Sequence, residues 1–429
     1  MVGVVVLGCF EYEVCLSMNT NRYAWHHLWR LGFFLLVGCA FFYGIGSQRD
    51  LDCSYGIREY NQDMSKVYRD LGWFSQMRHD FASAIKSYTN ALEKNPYYLE
   101  CYDYLGICFE LCKQFDKAIQ TYLKAVSLSP DFIQMRKQKK KTIPSLDPIN
   151  QPSIPGKVAW NGESLVHKTL LVKSVGGIGD SVFFMRFIVM IAQQAAHVLF
   201  VPPAELYALC KDTFNERVTV LPPNVAADTI DCDFYTWLHM IPSFLSLSYD
   251  KIPLREGYLD AGAGEKGLGD KVIGVMLPSF EDGALEQIKH VWHRLVLRVR
   301  RAGVRLVVLC NDANQLSAIE ELTGKDCLVR DICQDSVSQV AALVKGFSLF
   351  ITAQTDFAHL AGAMGKPTWV LLPYVSEWHW LGYGEGEESC WYASVKKFRQ
   401  TKKHDWVGVL TSVCARLEKQ RELCAWLKK

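Results

Sequence analysis

Residues 65–132 repeat themselves at an offset of 34. Tyr68, Leu71, Gly72, Phe81, Ala84, Ile85, Tyr88, Ala91 and Pro96 recur as Tyr102, Leu105, Gly106, Phe115, Ala118, Ile119, Tyr122, Ala125 and Pro130. A fixed period of this length constrains the fold strongly. Each unit is one supersecondary element that cannot bury its apolar face alone and must stack on its neighbour. The glycines and alanines allow two helices per unit to approach closely while the aromatic rings fill the space between them. Pro96 and Pro130 close each unit, because proline cannot continue a helix interior. Phe109 of the second copy faces Ser75 in the first, so one aromatic position does not recur. Two copies bury too little to stand alone, and residues 52–64 or the following domain are expected to cover the ends.

The period and the residues that carry it resemble the tetratricopeptide repeat, with copies at 65–98 and 99–132 inside a helical segment 51–132. That resemblance implies a module that binds a protein partner.

Upstream, residues 1–50 contain an uncharged run of eighteen residues between Arg30 and Arg49, about the shortest that spans a bilayer as a helix. A membrane anchor over 31–47 and a signal sequence starting at Met18 both remain open. Leu36-Val37-Gly38-Cys39 is shaped like a lipoprotein cleavage box, but apolar rather than polar residues follow it. The fifteen cysteines show neither Cys-x-x-Cys pairs nor the spacing of a metal cage, which favours a reducing compartment. The expected location is therefore cytoplasmic, with membrane association through the apolar run. A net charge of +2 gives no electrostatic footprint for nucleic acid. The basic run at 135–141 reads as a solvated stretch of a linker, 133–157, that continues through Pro144, Pro148, Pro152 and Pro155.

Beyond the linker the pattern alternates. Apolar runs at 169–173, 197–201, 271–276, 304–309, 348–352 and 368–372 read as buried strands, with amphipathic stretches such as 180–193, 286–302 and 336–345 between them. Alternation of this kind predicts parallel sheets flanked by helices. The domain at 158–425 is long enough for two, in halves of about 158–265 and 270–425, with a ligand cleft between them.

Two strand-to-helix turns could carry chemistry. In Gly176-Gly177-Ile178-Gly179-Asp180 the glycines let backbone amides approach a ligand at a helix N-terminus. Asp180 reads either as a carboxylate at the cleft or as an ordinary helix cap. In Thr352-Ala353-Gln354-Thr355-Asp356-Phe357-Ala358-His359, Thr355 and Asp356 can cap the helix, while Ala358, Ala361, Gly362 and Ala363 keep its surface small enough for close packing or for a ligand phosphate. His359 is either a ligand contact or a satisfied core histidine.

With both turns in view, residues 158–410 resemble the glycosyltransferase-like domain that follows tetratricopeptide repeats in many bacterial proteins, related to the ADP-heptose lipopolysaccharide heptosyltransferases. The resemblance runs through Trp160, Gly177-Ile178-Gly179-Asp180, Arg186, Tyr258, Ala358-His359-Leu360-Ala361-Gly362, Gly365-Lys366-Pro367, Trp378-His379-Trp380, Trp391-Tyr392 and Phe398-Arg399-Gln400. It implies a fold of two Rossmann-type halves (the GT-B type) and sugar transfer from a nucleotide-diphosphate donor, with no cofactor and no bound metal. By resemblance Asp180 is the base that takes the acceptor proton, a role that chemistry requires of some group. Gly177, Gly179, Lys289, Thr355, Asp356 and His359 would hold the donor and its phosphates. Several positions differ from relatives. Gln354 stands for an aspartate, Val175-Gly176 for Glu-Gln, and Leu277-Pro278-Ser279 for Trp-Ser-Gly, while residues 382–388 replace a segment with an expected arginine.

The expected function is therefore binding of a nucleotide sugar, and its transfer to a protein or glycan acceptor. The alternative is a scaffold tethered to the membrane in which catalysis has lapsed. A nucleotide-dependent oxidoreductase is disfavoured, because neither turn matches the dinucleotide fingerprint.

Overall fold

The computed structural model describes residues 50–129, 153–174, 176–214, 216–245, 247, 252–265, 268, 271–277, 284–374, 376–380 and 388–419. The apolar run at 31–47, the basic run at 135–141 and the prolines at 144, 148 and 152 lie outside these residues, as do Val175, Pro278, Ser279 and residues 382–387. The chain divides into two compact units, 1–60 and 61–429. Of the first, residues 50–60 are described, as the beginning of helix α1. No helix among the described residues is long and apolar enough to cross a membrane.

Four helices open the described chain: α1 (Asp50–Met77), α2 (Phe81–Lys94), α3 (Leu99–Leu111) and α4 (Phe115–Leu128). Their geometry recurs at the same offset as their sequence. Gly72 lies against the ring of Tyr88, where an added Cβ would fall 2.6 Å from a ring carbon, and Gly106 lies likewise against Tyr122. The Tyr88 hydroxyl donates to Gln76 Oε1 at 2.8 Å, and 34 residues on the Tyr122 hydroxyl donates to Glu110 Oε1 at 2.7 Å. The turns repeat too. His79 and Lys113 both have left-handed backbones, with φ of 61° and 58°. In each turn the following amide, of Asp80 or Gln114, donates back to Ser75 or Phe109, the six-to-one bond that ends many helices.

Next come two parallel sheets. The first comprises β1 (Thr169–Lys173), β2 (His197–Val201), β3 (Val218–Val220) and β4 (Phe234–Trp237), in the order β3-β2-β1-β4. Helix α5 (Ile178–Ala192) follows β1, and the short α6 (Tyr207–Thr213) follows β2. The second contains β5 (Val272–Met276), β6 (Arg305–Cys310), β7 (Leu328–Asp331), β8 (Leu349–Ala353), β9 (Thr368–Leu372) and β10 (Val395–Arg399). Around it lie α7 (Ala284–Arg301), α8 (Leu316–Thr323), α9 (Val337–Gly346), α10 (Asp356–Ala363) and α11 (Trp406–Lys419).

The order β7-β6-β5-β8-β9-β10 starts at a central strand, runs outward, then returns to fill the other side. Its switch point lies between β5 and β8, and open parallel sheets bind ligands beyond the strand ends at such points. Strands β5, β8 and β9 are buried along their whole length, as a sheet covered on both faces requires. The Ser336 hydroxyl accepts from the Gln339 amide and the Gln339 side chain reaches back, which fixes where α9 begins.

A short 3-10 segment (Leu238–Phe244) after β4 packs on α4 and on α5. Leu238 and Ile241 belong to one buried cluster with Tyr122 and Val126 of α4 and Phe184 and Phe187 of α5. The last face of the helical array is thereby closed by the domain that follows it.

Candidate functional site

Helices α5 and α10 each begin just beyond the end of a parallel strand, and their first turns pack on one another. Gly179 makes that approach workable, since a Cβ there would press on the Asp356 carboxylate and lie 3.1 Å from its Cα. Before α5 the chain turns through Gly176, whose φ of +108° is a backbone that L side chains rarely adopt. Gly177 then takes the cap position, with extended backbone at φ −76° and ψ 174°. The cap reading of Asp180 is therefore corrected. Asp180 is the third helical residue, buried at 7% exposure, and its carboxylate lies over the Gly176–Gly177 turn.

At the other turn Thr355 occupies the cap position of α10 but makes no side-chain capping bond. Its hydroxyl instead lies 3.3 Å from that of Thr352 and faces Met276 Sδ at 3.9 Å, turned back toward the ends of β8 and β5. Asp356 is the first helical residue and Gly179's neighbour.

His359, one turn along α10, is 4% exposed, and its Nδ1 lies 3.0 Å from the Tyr392 hydroxyl. The Trp380 ring stacks on it at 4.8 Å, and His379 meets it edge-on at 4.8 Å. His379 in turn has Nε2 3.9 Å from Asp180 Oδ1 and Nδ1 3.5 Å from Glu377 Oε2. These separations exceed hydrogen-bond range, so the three groups are close neighbours in one side-chain cluster rather than a bonded chain. Among the described residues, His359, Glu377 and His379 form a group whose ligand atoms lie within 4.8 Å of one another.

The loop bearing Glu377 and His379 is held at both ends. Gln354 Oε1 accepts from the Glu377 amide at 3.1 Å. Arg399 donates to Ser376 Oγ and to the Trp380 carbonyl, each at 2.6 Å.

Arg186, two turns along α5, ties this cluster to the rest. It is fully buried, donating to the Trp391 carbonyl at 2.8 Å and to the Phe183 carbonyl at 3.1 Å. The faces of Phe183, Tyr258, Trp391 and Tyr392 surround its guanidinium at 4.7 to 5.3 Å. Burial pushes the Tyr258 and Tyr392 phenols up, so both stay protonated and available as donors. Tyr258 donates to the Val182 carbonyl at 2.9 Å, while its own amide donates to Ala363 at the end of α10 at 2.7 Å. Tyr392 fits because Gly362 has no side chain, a Cβ there falling 2.6 Å from the ring.

The fold thus brings together Gly177, Gly179, Asp180, Asp356 and His359, with Thr355 at the cap of α10. Lys289 lies half-buried in the second turn of α7, the helix that follows β5. Glu377 escaped the sequence reading, and His379 entered it only within a tryptophan-rich motif. The signal was faint: ionisable residues on either side of Trp378, after a buried strand. Nor was Gln354 expected to serve as a clamp. The cysteines form no metal cage among the described residues. Burial raises the Cys108 and Cys210 thiols to about 12, as expected of inert core thiols.

No protein-family model matches the chain, and no curated protein sequence matches it. Solved structures do. The heptosyltransferase WaaC of E. coli, in complex with ADP-2-deoxy-2-fluoro heptose, is similar to 59% of this chain over 99% of its own, at 13% identity and a TM-score of 0.43. A glycosyl transferase family 9 protein from Veillonella parvula covers 62% of this chain and 99% of its own, at 13% identity and a TM-score of 0.44. An O-GlcNAc transferase mutant from Thermobaculum terrenum covers 89% of this chain and 94% of its own, at 12% identity and a TM-score of 0.30. Similarity this remote leaves the functional reading to the chain's own residues.

Proposed function

We propose that this chain is a tetratricopeptide-repeat protein whose second part is a glycosyltransferase-like domain of two Rossmann-type halves, binding a nucleotide-diphosphate sugar in the cleft between them. The observation that carries the reading is the meeting of two helix N-termini, α5 and α10, at the ends of parallel strands beside the buried carboxylate of Asp180. Helix N-termini present unsatisfied amides and a partial positive charge, which suits a diphosphate. In this reading Thr355, Asp356 and His359, with Gly177 and Gly179, shape the donor side, and Lys289 neutralises phosphate.

Asp180 is the base. As an acceptor hydroxyl attacks the anomeric carbon, its proton passes to the Asp180 carboxylate, the glycosidic bond forms and the nucleoside diphosphate leaves with the electron pair. Helix-end amides stabilise the charge that grows on that diphosphate. The repeat helices present the protein or glycan acceptor.

The test is a thermal-shift screen of the full chain against nucleoside diphosphates and their sugar conjugates. One of them should stabilise the fold by about 2.7 kcal/mol at a hundred times its dissociation constant, rising with the logarithm of its concentration. No shift from any nucleotide would remove donor binding and favour the scaffold, a reading to which Gln354 lends weight by clamping the Glu377 backbone where relatives carry a carboxylate. If a donor binds, Asp180→Asn should leave its binding intact and cut turnover by roughly 100-fold to 10,000-fold. Unchanged turnover would dismiss Asp180 as the base.

A further inference from the structure

We infer that His359, Glu377 and His379 form a binding site for a divalent transition cation, with zinc the expected occupant. The resemblance noted in the sequence implies no metal, and the inference arises from how the fold gathers three residues from two separate elements.

The donor set comes first. Two imidazoles and one carboxylate, with ligand atoms within 4.8 Å of one another, are the residue types that hold zinc or iron(II) in open sites. A tetrahedral ion with bonds of about 2.1 Å sets its ligands about 3.4 Å apart. The Glu377 Oε2 to His379 Nδ1 separation of 3.5 Å already meets that spacing, and the ligand atom of His359 lies within 4.8 Å of both. Nitrogen-rich donors favour zinc over magnesium or calcium, which prefer all-oxygen shells.

The surroundings supply the second argument. Metal-binding histidines are oriented by a hydrogen-bonding group on the ring nitrogen that does not bind the metal. Here the Tyr392 hydroxyl stands 3.0 Å from His359 Nδ1, which assigns the metal to Nε2. On His379 the nitrogen beside Glu377 is Nδ1, at 3.5 Å from Oε2, which assigns the metal to Nδ1. His359 thus has an orienting group on the side away from the proposed ion.

Rigidity is the third. Trp380 stacks on His359, and Phe183 meets His379 edge-on at 4.4 Å. Gln354 and Arg399 clamp the backbone on either side of Glu377 and His379. An apolar wall around few, well-held ligands keeps water out and limits the choice of ion.

The test uses the full chain, stripped with a chelator, dialysed and titrated with Zn2+ by calorimetry, with the visible absorption of bound Co2+ as an independent report on coordination. One site per chain is expected. His379→Gln and Glu377→Gln should weaken it at least 100-fold. Tyr392→Phe keeps all three ligands and removes the hydroxyl that orients His359, together with that hydroxyl's bonds to Tyr258 and Arg186, and should weaken it roughly 10-fold to 100-fold. Circular dichroism of each metal-free variant separates loss of fold from loss of metal, and Tyr392→Phe carries the test if a ligand variant fails to fold. Wild-type protein that takes up no Zn2+, or uptake that all three variants leave unchanged, overturns the site. Mg2+ bound as tightly as Zn2+ overturns the class of ion. Because the readout is metal uptake, the result stands apart from nucleotide binding.

Discussion

Gly179→Ala tests the contact on which the candidate site is built, because two known effects pull its stability in opposite directions. Gly179 is the second residue of α5 with ordinary helical backbone, so alanine by propensity alone would stabilise by up to about 1 kcal/mol. Against this, the new methyl would meet the Asp356 carboxylate in hard contact and lie 3.2 Å from its Cγ and 3.1 Å from its Cα. The carboxylate can swing away, but the Cα belongs to the first turn of α10 and moves only if the two helix ends separate by a few tenths of an ångström. Overpacking of this kind costs about 1 to 3 kcal/mol, so with the full propensity gain offset the net loss is about 0 to 2 kcal/mol. Urea unfolding measures it directly, and the melting temperature should fall by up to roughly 2 °C given an unfolding entropy near 2 cal/mol/K per residue over 429 residues. Gly177→Ser is the control. A Cβ there meets only Asp180 Oδ2, at 3.9 Å, and serine is a good cap, so stability should hold or rise slightly. Combining Gly179→Ala with Asp356→Ala should return part of the loss, as coupled neighbours do. A Gly179→Ala variant that gains stability, with no coupling to Asp356→Ala, would refute the close approach of the two helices.

The repeat turns and one buried histidine give two more expectations. His79 and Lys113 hold left-handed backbones at positions where helices prefer glycine, so His79→Gly and Lys113→Gly should each stabilise by up to about 1 kcal/mol in urea unfolding, and a loss of similar size would contradict the turn geometry. Burial lowers the His239 imidazole from 6.5 to about 4. Between those values the unfolded chain binds a proton that the folded chain refuses, so this contribution is complete above pH 6.5 and is lost as pH falls toward 4. At about 1.4 kcal/mol per pH unit it amounts to roughly 3 kcal/mol. His239→Gln should therefore flatten unfolding free energy across that window relative to wild type; an equal slope in both would show that His239 is not buried in its neutral form.

The sequence located the strands at 169–173, 197–201 and 368–372 to the residue, because each is a largely apolar run that opens on a polar residue and stops at a lysine or before a proline. Those at 218–220, 234–237, 328–331 and 395–399 escaped it. Val218–Val220 and Leu328–Asp331 are short, half-covered edge strands, and Val395–Arg399 carries two lysines and an arginine, so none shows such a run. Asp180 was visible as a carboxylate in a glycine turn, but its position in the helix was not. The cap is decided by where the backbone enters helical geometry, and Gly177 entered first.

The amino-acid sequence alone determined the 34-residue helical period and the parallel α/β plan, because both are periodic demands that each segment makes on its own neighbours. Only the tertiary structure decided what lies beside Asp180. His379 and Glu377 are nearly two hundred residues away along the chain, on a loop aimed by Gln354 and Arg399, and His359 reaches them from another helix. Proximity of that kind depends on how two sheets pack and on where Gly179 and Gly362 leave room for Asp356 and Tyr392. No local pattern encodes it, since each residue's own neighbours along the chain would be the same wherever the loop came to rest.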